Sequence, residues 1–260
     1  MGQQTKIEWC DHTANLWWGC VSVNQGCANC YAETLSKRWG NDIWGNDKPR
    51  KEIKSVWNDL SKYQRLAEKS GEIHRVFVGS MMDIFEKPMP LVDNEGQSVG
   101  WDETIDTSYL RWKLFTQIDE GKYPNLMFLL LTKRPSNINK YIPEIWKTNP
   151  PQNVMFGTSP VNQETANKLI PQLLEVKGKK FLSVEPQLDS INIQGFLFHG
   201  GINWVIQGGE SGHGKRPFNL DWAHYLKQQC EATDTPYFFK QIDKVKPIPE
   251  DLMVRQYPVK

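Results

Sequence analysis

Cys20, Cys27 and Cys30 fall within eleven residues, and only two further cysteines occur in the 260-residue chain. Thiolates at this density are typical metal ligands. A [4Fe–4S] cluster held by three cysteines keeps one iron open to a small molecule, whereas structural zinc takes four protein ligands. The number of thiols therefore favours a reactive iron–sulfur site. Two alternatives stay open: zinc completed by Cys10 or His12, and three small buried thiols.

Polar and charged residues follow the short apolar runs further along the chain, in the segments 80–83, 132–135, 158–159, 183–186, 208–212 and 240–241. In barrels of alternating strands and helices, catalytic groups come from the carboxyl ends of the strands. Charged side chains are costly to bury alone. We therefore expect Asp83, Lys133, Glu185 and Lys240 to pair with one another or to bind a ligand, and their mixed charge suggests a zwitterion.

Arg134 and the segment 208–211 are further candidates for ligand binding. The planar fork of Arg134 matches a carboxylate or a phosphate, with an ordinary solvated pair beside Lys133 as the alternative. Gly208 and Gly209 either form a tight turn or let a ligand approach the backbone beside Glu210 and Ser211.

The apolar runs themselves predict the elements that position these residues. Strands are predicted at 15–19, 75–79, 126–131, 153–157, 180–184, 204–207 and 236–239, and helices at 31–39, 53–70, 109–121, 163–177 and 220–233. This alternation predicts an α/β fold with a partial or complete (β/α) barrel of six to eight units, resembling a TIM barrel, with a doubly wound sheet as the competitor. We expect one domain over residues 1–260, with loop insertions at about 40–52 and 87–106.

Composition narrows the class of protein. The net charge is +1, from 31 basic and 30 acidic residues, so no global field attracts nucleic acid. A basic group in the first insertion, Lys48, Arg50, Lys51 and Lys54, is either a DNA contact or a solvated loop. No apolar run approaches the roughly 20 residues of a membrane helix, which predicts a cytoplasmic protein without a membrane partner. No metalloprotease, Walker or serine-hydrolase motif occurs.

Motifs distributed along the chain resemble those of an uncharacterised phage and prophage family with three cysteines. They are Ile7–Trp9, Asn15, Gly19–Cys20, Gly26–Glu33, Asp83–Phe85, Leu131–Pro135, Val184–Pro186, Gly208–Gly212, Arg216–Pro217 and Phe238–Gln241. The members of that family resemble radical S-adenosylmethionine (SAM) enzymes. Those enzymes bind a [4Fe–4S] cluster through three cysteines on a loop after the first strand of a partial barrel.

The resemblance implies a function and a set of roles. Cys20, Cys27 and Cys30 would hold the cluster, and SAM would bind through its amino and carboxylate groups. Arg134, Glu185, Gly208, Gly209, Glu210 and Ser211 would contact SAM, whereas Asp83, Lys133, Glu185, Lys240 and Gln241 would serve the reaction. A 5′-deoxyadenosyl radical would act on a nucleobase, a nucleotide or DNA, with a reductant such as flavodoxin or ferredoxin.

A function of a different class stays open beside this one. Zinc or an inert iron–sulfur cluster would stabilise a barrel that binds another protein or a nucleic acid without catalysis. The identity of the metal distinguishes the two hypotheses.

Overall fold

Seven parallel strands form the central sheet of the computed structural model, which describes residues 5–99, 105–212 and 214–258. They are β1 (His12–Ala14), β4 (His74–Val78), β6 (Leu126–Thr132), β7 (Val154–Thr158), β8 (Lys179–Val184), β9 (Trp204–Gly208) and β10 (Tyr237–Gln241). Six of them match the predicted strands to within two residues. Continuous runs of aliphatic and aromatic residues are typical of strands that are covered on both faces.

The strands follow one another across the sheet in chain order, β1-β4-β6-β7-β8-β9-β10. A doubly wound sheet reverses its order at a switch point, so this competitor is wrong. The sheet curls into a half-barrel. In the described residues its outer strands β1 and β10 pair only with β4 and β9, so the prediction of a partial barrel is confirmed and the complete barrel is wrong.

Helices follow most of the strands and cover the outside of the sheet. They are α1 (Tyr31–Arg38), α2 (Val56–Ser70), α3 (Thr107–Asp119), α4 (Ile138–Tyr141), α5 (Gln163–Leu174), α6 (Gln194–Phe198) and α7 (Leu220–Glu231). Asp106, Asn162 and Asn219 begin α3, α5 and α7 by accepting hydrogen bonds from backbone N–H groups of the first turn. No helix of the described residues is both long and apolar enough to cross a membrane.

Alternate residues of each strand belong to two separate apolar clusters. Val76, Phe128 and Leu130 pack against the helices, whereas Phe77 and Leu129 face the inside of the half-barrel. The inner cluster continues through Met155, Phe181, Trp204, Ile206 and Phe238, and Trp9 of the amino-terminal segment packs into it. The N-terminal residues therefore fill the concave face of a sheet that does not close on itself.

A small second sheet lies beside the cysteine loop and corrects the prediction for the first barrel strand. Its strands are β2 (Trp17–Trp18), β3 (Arg50–Glu52) and β5 (Leu91–Val92). The strand predicted at 15–19 contains β2, but its place as the first barrel strand is wrong, because the first barrel strand, β1, ends at Ala14 and β2 pairs with β3 instead. The predicted insertions at 40–52 and 87–106 contain β3 and β5, which pair with each other; residues 100–104 lie outside the described residues.

A buried ion pair fixes the first insertion to the barrel. Arg50 is fully buried, and its guanidinium binds the Glu86 carboxylate through Nε at 2.7 Å and Nη2 at 3.0 Å. Arg50 also donates to the carbonyls of Ile43, Gly45 and Lys48, and the indole of Trp17 donates to Glu86. The interpretation of Arg50 as a DNA contact is therefore wrong, because its charge is buried within the protein.

We predict that Arg50→Met lowers the free energy of unfolding by about 3 kcal/mol or more, because it leaves the Glu86 carboxylate buried without its cation. Lys48→Met is the matched control. Lys48 pairs with the exposed Asp42, so its loss is expected to cost less than about 1 kcal/mol. Urea unfolding of the two variants measures both values, and equal losses would contradict the role given to the Arg50 pair.

Candidate functional site

A cavity of about 440 Å³ opens at the carboxyl ends of the barrel strands, and the cysteine loop forms one of its sides. Cys20, Cys27 and Cys30 all line it. The thiols of Cys27 and Cys30 flank the start of α1, since Cys30 is the residue that precedes its first turn. A volume of this size is typical of a pocket for one cofactor-sized ligand.

Most of the predicted site residues line the same cavity. They are Asp83, Lys133, Arg134, Glu185, Gly209, Glu210, Ser211 and Lys240. Gly208 and Gln241 are the exceptions. Gly208 is the last residue of β9, and a Cβ atom there would lie 3.6 Å from the carboxyl carbon of Glu185. Gln241 is buried, and its side-chain amide donates to the Gly209 carbonyl. The ends of parallel strands meet at one edge of the sheet, which is why residues so distant in sequence converge.

Arg134 connects the barrel to the cysteine loop. Its Nη1 atom lies 2.6 Å from Oδ2 of the buried Asp83, and its Nη2 atom donates to the Val21 carbonyl at 2.8 Å. Nη1 is also 3.9 Å from the Cys20 sulfur. Asp83 in turn accepts from the Thr132 hydroxyl at 2.7 Å. The Arg134 guanidinium thus binds two groups of the protein itself, and its positive charge lies beside the Cys20 thiol.

A second ion pair joins Glu185 and Lys240 across the cavity. Their carboxylate and ammonium groups are in direct contact, and both side chains are largely buried. Glu185 precedes Pro186, and the peptide bond between them is cis. Two oppositely charged groups that were predicted to pair or to bind a ligand therefore do pair, while both still line the cavity.

Glu210 holds the cysteine loop in place through a network of hydrogen bonds. Arg216 donates to both of its carboxylate oxygens, from Nη2 at 2.6 Å and Nε at 3.1 Å, and Asn29 donates to Oε2 at 2.9 Å. Arg216 also binds the Gln25 carbonyl at 3.1 Å. Burial opposes ionisation of Glu210, but the hydrogen bonds from Arg216 and Asn29 outweigh it and lower its pKa. We refer to Glu210, Arg216, Asn29 and Gln25 as the loop clamp.

Close packing of the backbone explains one of the two glycines before Glu210. A Cβ atom on Gly209 would lie 2.0 Å from the Ile242 carbonyl oxygen and 2.9 Å from the Phe218 Cβ atom. No side chain fits in that space. Gly209 therefore lets β9 pass close to the chain after β10, which places Glu210 within reach of the cysteine loop.

The thiols of Cys20 and Cys27 make separate local contacts. Cys20 approaches the Val21 carbonyl at 3.6 Å and Cys27 approaches the Asn24 side-chain oxygen at 3.9 Å. In the described residues, no group of three or more His, Cys, Asp or Glu side chains is arranged to hold a metal ion. Three free thiols that line one cavity are the kind of ligands that an iron–sulfur cluster takes.

Burial sets the protonation of two of these thiols. It raises the pKa of Cys20 to about 12, with a further contribution from the charges of Asp83 and Glu86. Burial also raises the pKa of Cys30, and the backbone N–H groups of Glu33 and Ala32 and the charge of Lys133 oppose that rise. Thiols of this kind are protonated at neutral pH, and metal binding removes the proton because a coordinating thiol ionises.

The residues considered as a fourth zinc ligand do not line the cavity. Cys10 is buried in the inner cluster, where its thiol approaches the Ile7 carbonyl. His12 stacks on Tyr63 with ring centroids 3.9 Å apart and binds His74 through Nε2. Of the tryptophans near the cysteines, Trp9 and Trp44 line the cavity, whereas Trp17 is in the core.

Sequence reasoning missed the contacts that position the cysteine loop. Asn29 and Arg216 carry no pattern that links them to Glu210, because 181 residues separate Asn29 from it. Tyr31 is also missed: its hydroxyl donates to the Ser80 carbonyl at 2.8 Å and fixes the start of α1 to the loop after β4. The only signal is that Arg216 follows Glu210 within a single loop.

We predict that Arg216→Gln loosens the cysteine loop, because it removes the cation that joins Glu210 to the Gln25 carbonyl. In metal-free protein, the rate at which N-ethylmaleimide labels Cys27 is expected to rise about threefold or more, as for a local opening. Lys215→Gln is the control, since Lys215 pairs with Asp243 instead, at 3.1 Å. Equal labelling rates in the two variants would contradict the role that we give to the loop clamp.

Comparisons with known proteins give one result. Searches of curated proteins and of solved structures find no match. One family, described as "Protein of unknown function (DUF5131)", matches residues 4–254, which is nearly the whole chain. The chain belongs to this family.

Proposed function

We propose that this protein is a radical SAM-like iron–sulfur enzyme that acts in the cytoplasm with an electron donor such as flavodoxin or ferredoxin. The observation that supports the proposal best is that three free cysteines and two ion pairs share one cavity at the carboxyl ends of a partial barrel. Catalytic groups of (β/α) barrels come from this end.

The cysteine ligands suit a centre that stays open to a small molecule. Three thiols leave one iron of a [4Fe–4S] cluster without a protein ligand. When bound, such a cluster would supply the electron for reductive cleavage of the sulfonium bond of SAM to methionine and a 5′-deoxyadenosyl radical. The nearby protein groups are Arg134, which lies 3.9 Å from the Cys20 sulfur, and Lys133, whose charge acts on Cys30.

In this proposal, other residues that line the cavity bind and orient SAM. Lys133, which has no ion pair among the described residues, offers positive charge for the carboxylate of SAM, and Arg134 adds its charge beside Cys20 while its guanidinium stays bound to Asp83 and Val21. We assign the Glu185 carboxylate to the amine or the ribose of SAM. The clamp occupies both oxygens of Glu210, so we assign Glu210 to positioning of the loop instead. Trp9 and Trp44 line the cavity and would shield a bound cofactor from water, which protects a reactive radical.

Metal analysis tests this function directly. Protein purified without oxygen is expected to contain about four irons and four sulfides per chain. After reduction by dithionite it is expected to convert SAM to 5′-deoxyadenosine, which chromatography detects. Cys27→Ala is predicted to lose both iron and cleavage, because each thiol supplies one ligand.

Cys230→Ala is the matched control for that experiment. Cys230 is a free, fully buried cysteine of α7 and does not line the cavity, so this variant is expected to keep its iron and its activity. One tightly bound zinc, or a cluster that leaves SAM intact, would contradict the proposal and favour a non-catalytic metal-binding protein.

A further inference from the structure

The charges that line the cavity do not balance. Each acidic side chain that lines it in the described residues has a cation beside it: Asp83 pairs with Arg134, Glu185 with Lys240, Glu210 with Arg216 and Glu33 with Lys37. Lys133 and Lys244 also line the cavity, and neither has an ion pair among the described residues. The cavity therefore carries positive charge that the surrounding side chains do not neutralise.

Lys244 is the unpaired cation that SAM does not account for. Lys133 directly follows β6, its charge acts on Cys30, and the proposed function assigns it to the carboxylate of SAM. Lys244 comes after β10, the last strand of the sheet, and it is an exposed residue at the edge of the cavity. Because Lys244 is open to solvent, a ligand that enters the cavity can reach it.

The turn that carries Lys244 is fixed by the residue before it. The Asp243 carboxylate accepts from the backbone N–H groups of Val245 at 2.9 Å and Lys246 at 2.7 Å, and Lys215 pairs with it at 3.1 Å. Lys244 itself has a φ angle of 67°, in the left-handed region where glycine is the least strained residue. Backbone strain of this kind is typical of ligand-binding sites.

The charge around Lys244 that remains without a partner is positive. Burial lowers the pKa of Lys244, and the charges of Lys240 and Lys6 lower it further. Lys6 has no ion pair among the described residues. The two acidic neighbours of Lys244 already have partners: Glu185 pairs with Lys240, and Glu8 pairs with Arg255 at 3.0 Å. An anionic group is therefore the partner that this edge of the cavity lacks.

The available donors suit a phosphate better than a carboxylate. The planar fork of arginine matches a carboxylate best, but the nearby arginines are occupied, Arg216 by Glu210 and Arg255 by Glu8. Lysine is a compact point charge with three donors, and it binds phosphate in this way. A phosphate monoester, with a charge of about −2 and three free oxygens, can accept from two lysines at once.

We propose that Lys244, assisted by Lys6, binds a phosphate group of a small substrate. SAM carries no phosphate, so this group belongs to the molecule on which the enzyme acts. Two lysines on a chain with a net charge of +1 fit a small phosphorylated molecule better than a nucleic acid, which needs a longer row of cations. The inference rests on the proposed function only where it calls the bound molecule a substrate.

Labelling of lysines in the protein purified without oxygen locates the site. An amine reagent is applied with and without inorganic phosphate at constant ionic strength, and mass spectrometry measures the labelling of each lysine. Phosphate is expected to slow the labelling of Lys244 about threefold or more and to leave that of Lys246 unchanged. Lys246 is the matched control, because it lies in the same turn and is exposed but does not line the cavity.

Calorimetric titration with inorganic phosphate compares the variants. Lys244→Gln is expected to weaken binding about tenfold, because it removes a charged donor. Lys6→Gln is expected to weaken it less, and Lys246→Gln is expected to leave the affinity unchanged. Lys244→Gly is expected to lose binding but to unfold at the same or a higher temperature, because glycine accepts the left-handed backbone. Loss of binding in that variant is therefore not loss of folding.

Three results would overturn the inference: phosphate does not slow the labelling of Lys244, Lys244→Gln and Lys246→Gln bind phosphate equally well, or succinate binds as tightly as phosphate does. Failure of the proposed function gives a different result. Protein without iron that still binds phosphate through Lys244 would reject the enzyme class and keep the phosphate site. Protein that cleaves SAM but gives one of the three results would reject the phosphate site alone.

Discussion

Charged side chains at the strand ends must find partners, and the arrangement of the site follows from this requirement. Burial of an unpaired charge is costly, so each acidic group at the barrel mouth has a cation beside it. The pairs are Asp83 with Arg134, Glu185 with Lys240 and Glu210 with Arg216. Two of the three cations also bind backbone carbonyls of the cysteine loop, at Val21 and Gln25. Pairing of charge thus places the three thiols over the cavity.

The cavity itself results from a change in side-chain size along the inside of the half-barrel. Trp9, Phe181 and Trp204 fill the concave face further down, where the ring of Phe181 packs directly on Gly157. Serines take the inward positions closer to the strand ends, at Ser159 and Ser183. The same sheet therefore provides a close-packed core at one level and a ligand-sized space at the next.

Sequence patterns predicted six of the seven barrel strands because buried parallel strands give long apolar runs, as in Phe128 to Leu131. They could not predict β2, β3 and β5, since strands of two or three residues have no periodic signal. The placement of polar residues after each strand indicated which side chains line the cavity. The partners of those residues could not be predicted, because contacts such as Asn29 with Glu210 depend on how distant loops meet.

The central claim is that the three cysteines hold a redox-active cluster with an open iron that SAM can reach. Electron paramagnetic resonance of the dithionite-reduced protein, recorded with and without SAM, tests it most directly. The account predicts the signal of a reduced [4Fe–4S] cluster whose shape changes when SAM is added, because SAM would bind at the iron that the three cysteines leave without a protein ligand. No signal, or a signal that SAM leaves unchanged, would contradict it.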